Sequence, residues 1–158
     1  GIIMIKQEDL ENGEILRDLI SRFKQDRTVE RLYSILRCFR DSYVWIPCIV
    51  SSISDEDIKE FSGANVGDTV TSSDTIRLKP EILKTVHGEY LFPVFSSVDQ
   101  MGDYGKFYSK IEKHSFEAMS MALAHEEVRG IIVDPFTNEL IIDKDLFDMI
   151  GEIPPTVK

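Results

Sequence analysis

The side chains with the clearest chemical potential stand at the polar ends of two apolar runs. Ser96 and Ser97 follow the first run, and Asp134 ends the second, directly before Pro135. A serine hydroxyl becomes a nucleophile beside a general base, and a serine, an aspartate and a histidine can form a hydrolytic triad. No G-x-S-x-G motif is present, and the sequence leaves open whether the fold gathers these residues. The interpretation that we favour is simpler: a helix cap at the serines and a turn at Asp134-Pro135.

Metal and cofactor chemistry has little support in the sequence. The three histidines, His87, His114 and His125, lack ligand spacing, since His125-Glu126 supplies only two letters of H-E-x-x-H. No glycine motif for phosphate or dinucleotide binding occurs. The acidic run 55–57 is typical of solvated charges at a helix start rather than of an acid–base pair. We therefore predict no catalytic residue, no metal and no cofactor, and a non-enzymatic protein is favoured.

Apolar runs bounded by turn residues predict the strands. These runs cover residues 43–50, 81–86, 90–95, 107–114, 130–134 and 139–142. The second and third runs form a hairpin, and so do the last two. Because Pro47 and Pro93 cannot donate a backbone hydrogen bond, each predicts an edge strand or a bulge. Trp45, the single tryptophan, is either a core anchor or a ligand platform.

Apolar residues at helical spacing predict four helices. They cover residues 9–25, residues 29–41 after a Thr28 cap, a segment between a Ser115 cap and Gly130, and a last helix capped by Asp143. Val29 and Met149 are assigned to inward faces. Together these elements predict an α+β fold, with one mixed or antiparallel sheet of about five to six strands packed with about four helices.

Length and charge restrict the class of protein further. The 158 residues suit a single domain over 1–158, with a core of about 28–150 and terminal tails at 1–8 and 152–158. A formal charge of −10 disfavours nucleic acid and anionic membranes and is compatible with a basic partner. No apolar run approaches the roughly 18 residues that span a bilayer, and residues 1–5 are too short for a signal peptide, with no basic leader or cleavage site. The sequence thus predicts a cytoplasmic protein.

The two cysteines and the polar stretch 51–75 each allow a structural and a functional interpretation. Cys38 and Cys48 each lie in an apolar run, which predicts buried free thiols rather than a zinc site or a disulfide. Residues 51–75 are polar and rich in turn residues, with a short helix capped by Ser54. This stretch is either a plain surface insertion or a lid over a ligand or partner.

Three segments carry a family resemblance. They read Trp45-Ile-Pro47, Tyr90-Leu-Phe-Pro-Val-Phe-Ser-Ser97 and Gly130-Ile-Ile-Val-Asp-Pro135. In order and spacing they resemble the N-terminal domain of the SseB family, the bacterial enhanced serine sensitivity proteins, over about residues 28–150. The resemblance implies an α+β domain of bacterial origin, usually cytoplasmic, with no established catalytic residues. Ser96 stands where the family usually has threonine and keeps a hydroxyl. Asp134 stands where asparagine is usual and loses the amide donor.

Two functions from different classes follow. The favoured hypothesis is a non-catalytic module that binds another protein or a second copy of itself through the groove between the proline-containing strand ends and the 62–75 loop. The alternative is a small-molecule-binding or hydrolytic domain with a pocket near Ser96 and Asp134. The residues predicted to line the binding site are Trp45, Phe95, Ser96, Ser97, Asp134 and Pro135.

Overall fold

The computed structural model describes residues 6–51 and 77–157. Within these ranges the α-helices are α1 (Glu14–Gln25), α2 (Val29–Arg40), α3 (Ser115–Leu123) and α4 (Phe147–Glu152). The 3₁₀ segments of the same ranges cover Gln7–Gly13, Val98–Phe107 and Lys144–Leu146. No helix within the described ranges is long and apolar enough to cross a membrane. The predicted loop 51–75 with its Ser54 cap lies, apart from Ser51, outside the described residues.

Seven strands in the described part of the chain form two sheets. The strands are β1 (Tyr43–Ser51), β2 (Arg77–Pro80), β3 (Leu83–Lys84), β4 (Tyr90–Val94), β5 (Ser109–His114), β6 (Val128–Val133) and β7 (Leu140–Asp143). One sheet has the antiparallel order β2-β1-β5, and the other has the order β3-β4-β6-β7, in which β4 and β6 are parallel. The predicted α+β class and both hairpins are confirmed, although the strands divide into two sheets rather than one.

The two proline-containing strands meet at a single point. β1 and β4 meet only at an isolated bridge, where Trp45 and Phe95 exchange two backbone hydrogen bonds of 2.8 Å. Neither Pro47 nor Pro93 can donate a backbone hydrogen bond beyond this bridge, and the Pro47 carbonyl accepts from the Glu81 backbone nitrogen at 3.0 Å. The prediction of edge strands was therefore wrong, because β1 and β4 are both interior strands. The bulge in the β4–β6 pair lies between Tyr90 and Leu91, away from Pro93.

The core lies between the inner faces of the sheets and the helices. Along β1 the inward residues Val44, Ile46 and Cys48 are buried, as strand alternation requires. Cys38 and Cys48 are both buried and free, which confirms their predicted state. Burial raises the pKa of the Cys38 thiol to about 11, so this thiol is a packing group rather than a nucleophile.

Three helix predictions need correction. The helix predicted over 9–25 begins only at Glu14, because Asn12 and Gly13 adopt left-handed backbone angles. Val29 and Met149 were assigned inward, but they are 80% and 41% exposed. The cap of α3 is the His114 ring nitrogen rather than Ser115, which donates instead to the Arg40 carbonyl.

The C-terminal segment is held by a buried carboxylate. Asp41, which is 4% exposed, accepts hydrogen bonds from the Thr156 backbone nitrogen and hydroxyl at 2.9 and 2.8 Å. Its other oxygen contacts the Arg40 guanidinium at 2.6 Å. Burial alone would raise the pKa of Asp41, but these hydrogen bonds outweigh it and lower that pKa below its ordinary value.

We expect Asp41→Asn to lower the free energy of unfolding by about 1–2 kcal/mol at neutral pH, because a charge-assisted bond is lost. Because the pKa of Asp41 is lower in the folded state, Asp41 stabilises the protein at any pH above its unfolded pKa of roughly 3.9. This stabilisation is lost as the pH falls through the folded-state pKa. Urea unfolding of both proteins at neutral and acidic pH should therefore show the difference shrinking in acid. The exposed Asp103→Asn is the control and should change stability by less than about 0.5 kcal/mol. A difference that does not depend on pH would contradict the prediction.

Candidate functional site

Ser96 and Asp134 form a buried, doubly hydrogen-bonded pair. The Ser96 backbone nitrogen donates to Asp134 Oδ1 at 2.8 Å, and the Ser96 hydroxyl donates to Asp134 Oδ2 at 2.6 Å. The two residues are 4% and 1% exposed. They meet because β4 and β6 are parallel neighbours, so that the residues following Val94 and Val133 leave the sheet at the same edge.

The backbone around Asp134 forms the predicted turn. Asp134 has a φ of +50°, and its carbonyl accepts from the Thr137 backbone nitrogen at 3.2 Å. Its carboxylate accepts hydrogen bonds from Ser96, at the end of the neighbouring strand, rather than from the backbone of its own turn. Burial raises the pKa of Asp134, although the bonds from Ser96 and the charge of Arg17 oppose this shift.

Helix α1 supplies the third member of the cluster. Arg17 Nη1 donates to the Ser96 hydroxyl at 2.9 Å and also to the Asn12 carbonyl. Gly13 packs directly on Ser96, since an added Cβ would lie 2.5 Å from Ser96 Cβ and 2.6 Å from its carbonyl oxygen. The cluster therefore fixes the left-handed Asn12-Gly13 turn against the end of β4.

A cleft of about 400 Å³ opens beside this cluster. Its walls come from the 7–13 segment, from β1 and β5, and from Ser96. The lining residues are Gln7, Leu10, Glu11, Asn12, Tyr43, Trp45, Ser96 and Glu112. Trp45 lies opposite Glu112 in the β1–β5 register, and Tyr43 precedes Trp45 by two residues, so these side chains share the outer face of the three-stranded sheet.

Comparison with known proteins identifies the family of the chain. The family model described as the SseB protein N-terminal domain matches residues 16–146. The chain belongs to the SseB family. A search of curated proteins and a search of solved structures each found no significant match. The family match spans Arg17, Ser96 and Asp134, and it confirms the resemblance seen in the sequence.

The predicted site residues of this SseB domain do not share one surrounding. Trp45 and Ser96 line the cleft, and Asp134 is buried behind Ser96, with the half-buried Pro135 following it in the turn. Phe95 is fully buried and packs against the rings of Tyr104 and Phe136. Phe95 thus supports the site from within and does not line the cleft.

Ser97 occupies the predicted cap position but does not act as a side-chain cap. It precedes the 3₁₀ segment at its N-cap position, but its side chain makes no capping hydrogen bond. Its hydroxyl lies 3.4 Å from Arg17 Nη1, a long contact. The role of the six predicted residues in binding stays a prediction.

Sequence reasoning missed the contributions of the N-terminal region and of β5. Arg17 reaches Ser96 across 79 positions of sequence, and no local pattern encodes that contact. Glu112 was part of a weak alternating stretch without a functional signal. Asn12-Gly13 is a common turn dipeptide, and it lies inside the helix predicted over 9–25. It was the signal that could have located the cleft wall formed by the 7–13 segment.

The Ser96 hydroxyl of the SseB cluster is buried, since Ser96 is only 4% exposed. It donates to Asp134 and accepts from Arg17. Within the described residues no histidine bonds Ser96: the His114 ring nitrogen caps α3, and the His125 ring nitrogen lies 3.6 Å from Glu127. No group of three His, Cys, Asp or Glu residues in the described ranges has metal-binding geometry.

Proposed function

We propose that this SseB-family chain is a non-catalytic interaction module, whose cleft and adjoining aromatic surface bind a segment of another protein. The observation that carries the proposal is a row of two exposed rings and one half-buried ring leading out of the cleft. The row consists of Tyr43, His114 and Phe116 and is called the aromatic row below. Localisation in the bacterial cytoplasm is part of the same proposal.

The aromatic row extends the cleft into a larger surface. The Tyr43 and His114 ring centroids are 5.2 Å apart, and those of His114 and Phe116 are 5.1 Å apart, both edge-to-face. Arg40 lies over the Phe116 ring at 5.1 Å. Tyr43 and Phe116 are 48% and 38% exposed. Aromatic residues and arginine are enriched at protein interfaces and dominate their binding energy.

The size of this surface favours a protein segment over a small molecule. A small ligand would be enclosed by the cleft of about 400 Å³ and would leave Phe116 uncovered. The hydrolytic alternative has less support, because Ser96 is only 4% exposed and no histidine within the described residues bonds its hydroxyl. In this proposal Ser96, Asp134 and Arg17 position the cleft wall and do not react.

A peptide-display selection tests the proposal. Peptides selected on the wild-type domain should bind Tyr43→Ala and Phe116→Ala at least about tenfold more weakly, as expected for interface anchors. Tyr33→Ala is the matched control, because Tyr33 lies on α2 and is similarly exposed at 42%. Affinities would be measured by calorimetry, and unfolding curves would verify that each variant is folded.

Two outcomes would overturn the proposed function. Selected peptides that bind Tyr43→Ala and Tyr33→Ala equally would remove the aromatic row and cleft from the binding surface. Sedimentation that showed a dimer dissociated by Tyr43→Ala would assign this surface to a second copy of the chain rather than to a different protein.

A further inference from the structure

We infer that the cleft selects a positively charged side chain, a lysine or an arginine, on the partner segment. This inference rests on the proposed function and specifies the chemistry of the same site. Its basis is the pairing of free carboxylates with aromatic faces in one cavity.

The charged side chains that line the cleft are all acidic. They are Glu11 and Glu112. None of the eight lining residues is a lysine, an arginine or a histidine. Both carboxylates are exposed, and neither has an ion pair or hydrogen bond within the described residues. Their charge is therefore available to a ligand entering the cleft.

The aromatic lining suits the same ligand. Trp45 stands directly opposite Glu112 across the β1–β5 pair, and Tyr43 lies two residues away on the same face. A cation is attracted to the face of an indole or phenol ring, most strongly to that of tryptophan. A carboxylate beside such a ring adds Coulomb attraction to the same charge. An ammonium or guanidinium group on a flexible apolar stem can use both, with the stem packed on the rings.

The nearby basic residues of the protein are engaged elsewhere. The Arg17 guanidinium lies behind Ser96, where it bonds the Ser96 hydroxyl and the Asn12 carbonyl beside buried Asp134. On β5, Lys110 lies two residues from Glu112 on the same face, and its ammonium group donates to the Tyr108 carbonyl at 3.4 Å. Lys113 pairs with Glu117 at 3.3 Å. Among the described residues, none of these basic groups forms an ion pair with Glu11 or Glu112.

The single tryptophan makes the test direct, because Trp45 is the only indole fluorophore in the chain. The probes are blocked tripeptides Ala-X-Ala, in which X is lysine, arginine, norleucine or glutamate. We expect saturable changes in Trp45 fluorescence with the lysine or arginine peptide, and at least fivefold weaker binding of the norleucine and glutamate peptides. The cationic response should weaken as salt is raised, because the carboxylates are exposed.

The matched variants isolate the carboxylates. We expect the double variant Glu11→Gln with Glu112→Gln to bind the cationic peptides roughly fivefold more weakly, as for exposed ion pairs. Glu139→Gln removes an exposed charge from a different surface and should leave binding unchanged. Equal binding of the norleucine and lysine peptides, or wild-type affinity in the double variant, would overturn the inference.

The two proposals fail in different ways. If none of the short peptides perturbs Trp45 while display-selected peptides still depend on Tyr43, the cation inference falls and the proposed function stands. If the cationic peptides bind but display-selected peptides ignore Tyr43 and Phe116, the proposed function falls and the cleft remains a cation site.

Discussion

Replacing Gly13 by alanine is expected to lower the free energy of unfolding by about 2–5 kcal/mol. Gly13 has a φ of +68°, and the left-handed region costs a residue with a Cβ about 1–2 kcal/mol. The new methyl group would also collide with Ser96, whose Cβ and carbonyl oxygen would lie 2.5 and 2.6 Å away. Overpacking of this kind adds about 1–3 kcal/mol, because the buried Ser96 is held by Asp134 and cannot move aside.

Gly88→Ala separates backbone strain from the collision. Gly88 also has a positive φ, +85°, but no atom lies within 4 Å of the position of an added Cβ. This variant should therefore lose only about 1–2 kcal/mol, from strain alone. Urea unfolding of both variants measures the difference. Equal losses would show that the close approach of Gly13 to Ser96 does not contribute to stability.

Replacing Asp134 by alanine is expected to cost about 3–4 kcal/mol. The change leaves the Ser96 amide and hydroxyl without their acceptor in a buried position, and each unsatisfied buried donor costs about 1–3 kcal/mol. Alanine also tolerates a φ of +50° less well than aspartate or asparagine does. Chemical denaturation would measure the loss, and a cost below 1 kcal/mol would contradict the buried pair.

Asp134→Asn is the matched variant for the role of the charge. Asparagine keeps an acceptor for the Ser96 amide and accepts the left-handed conformation, so we expect it to retain most of the stability that alanine loses. Because burial raises the folded-state pKa of Asp134, the native protein binds more protons than the unfolded chain above about pH 3.9. The stability of the wild type relative to Asp134→Asn should therefore fall as the pH rises through that raised pKa and then level off. A relative stability that increases over this range would contradict the raised pKa.

These two substitutions also connect the buried cluster with the cleft. Ser96 lines the cleft, while Gly13 packs on Ser96 and is preceded by Asn12, another lining residue. Disturbing the pair of Ser96 and Asp134 therefore displaces one wall of the cleft without touching Tyr43 or Glu112. In the proposed function, such variants should weaken peptide binding through the shape of the cleft rather than through lost contacts.

The sequence by itself determined the elements whose signals are local. The strand over β1, the hairpins β3–β4 and β6–β7, and the Thr28 and Asp143 caps all follow from alternation, helical spacing and turn chemistry within a few residues. The α+β class and the family follow from the order of these elements. Such features need no knowledge of distant neighbours, because backbone preference and side-chain periodicity already specify them.

Only the tertiary structure decided how these elements meet. Pro47 and Pro93 predicted edge strands or bulges, yet both lie in interior strands, which meet at one isolated bridge. Ser96 and Asp134 were read as a cap and a turn, but the parallel pairing of β4 and β6 joins them, and Arg17 reaches them from 79 positions away. The cleft likewise combines the 7–13 segment with β1 and β5. Contacts between residues far apart in sequence arise from strand order and packing, and no local pattern carries that information.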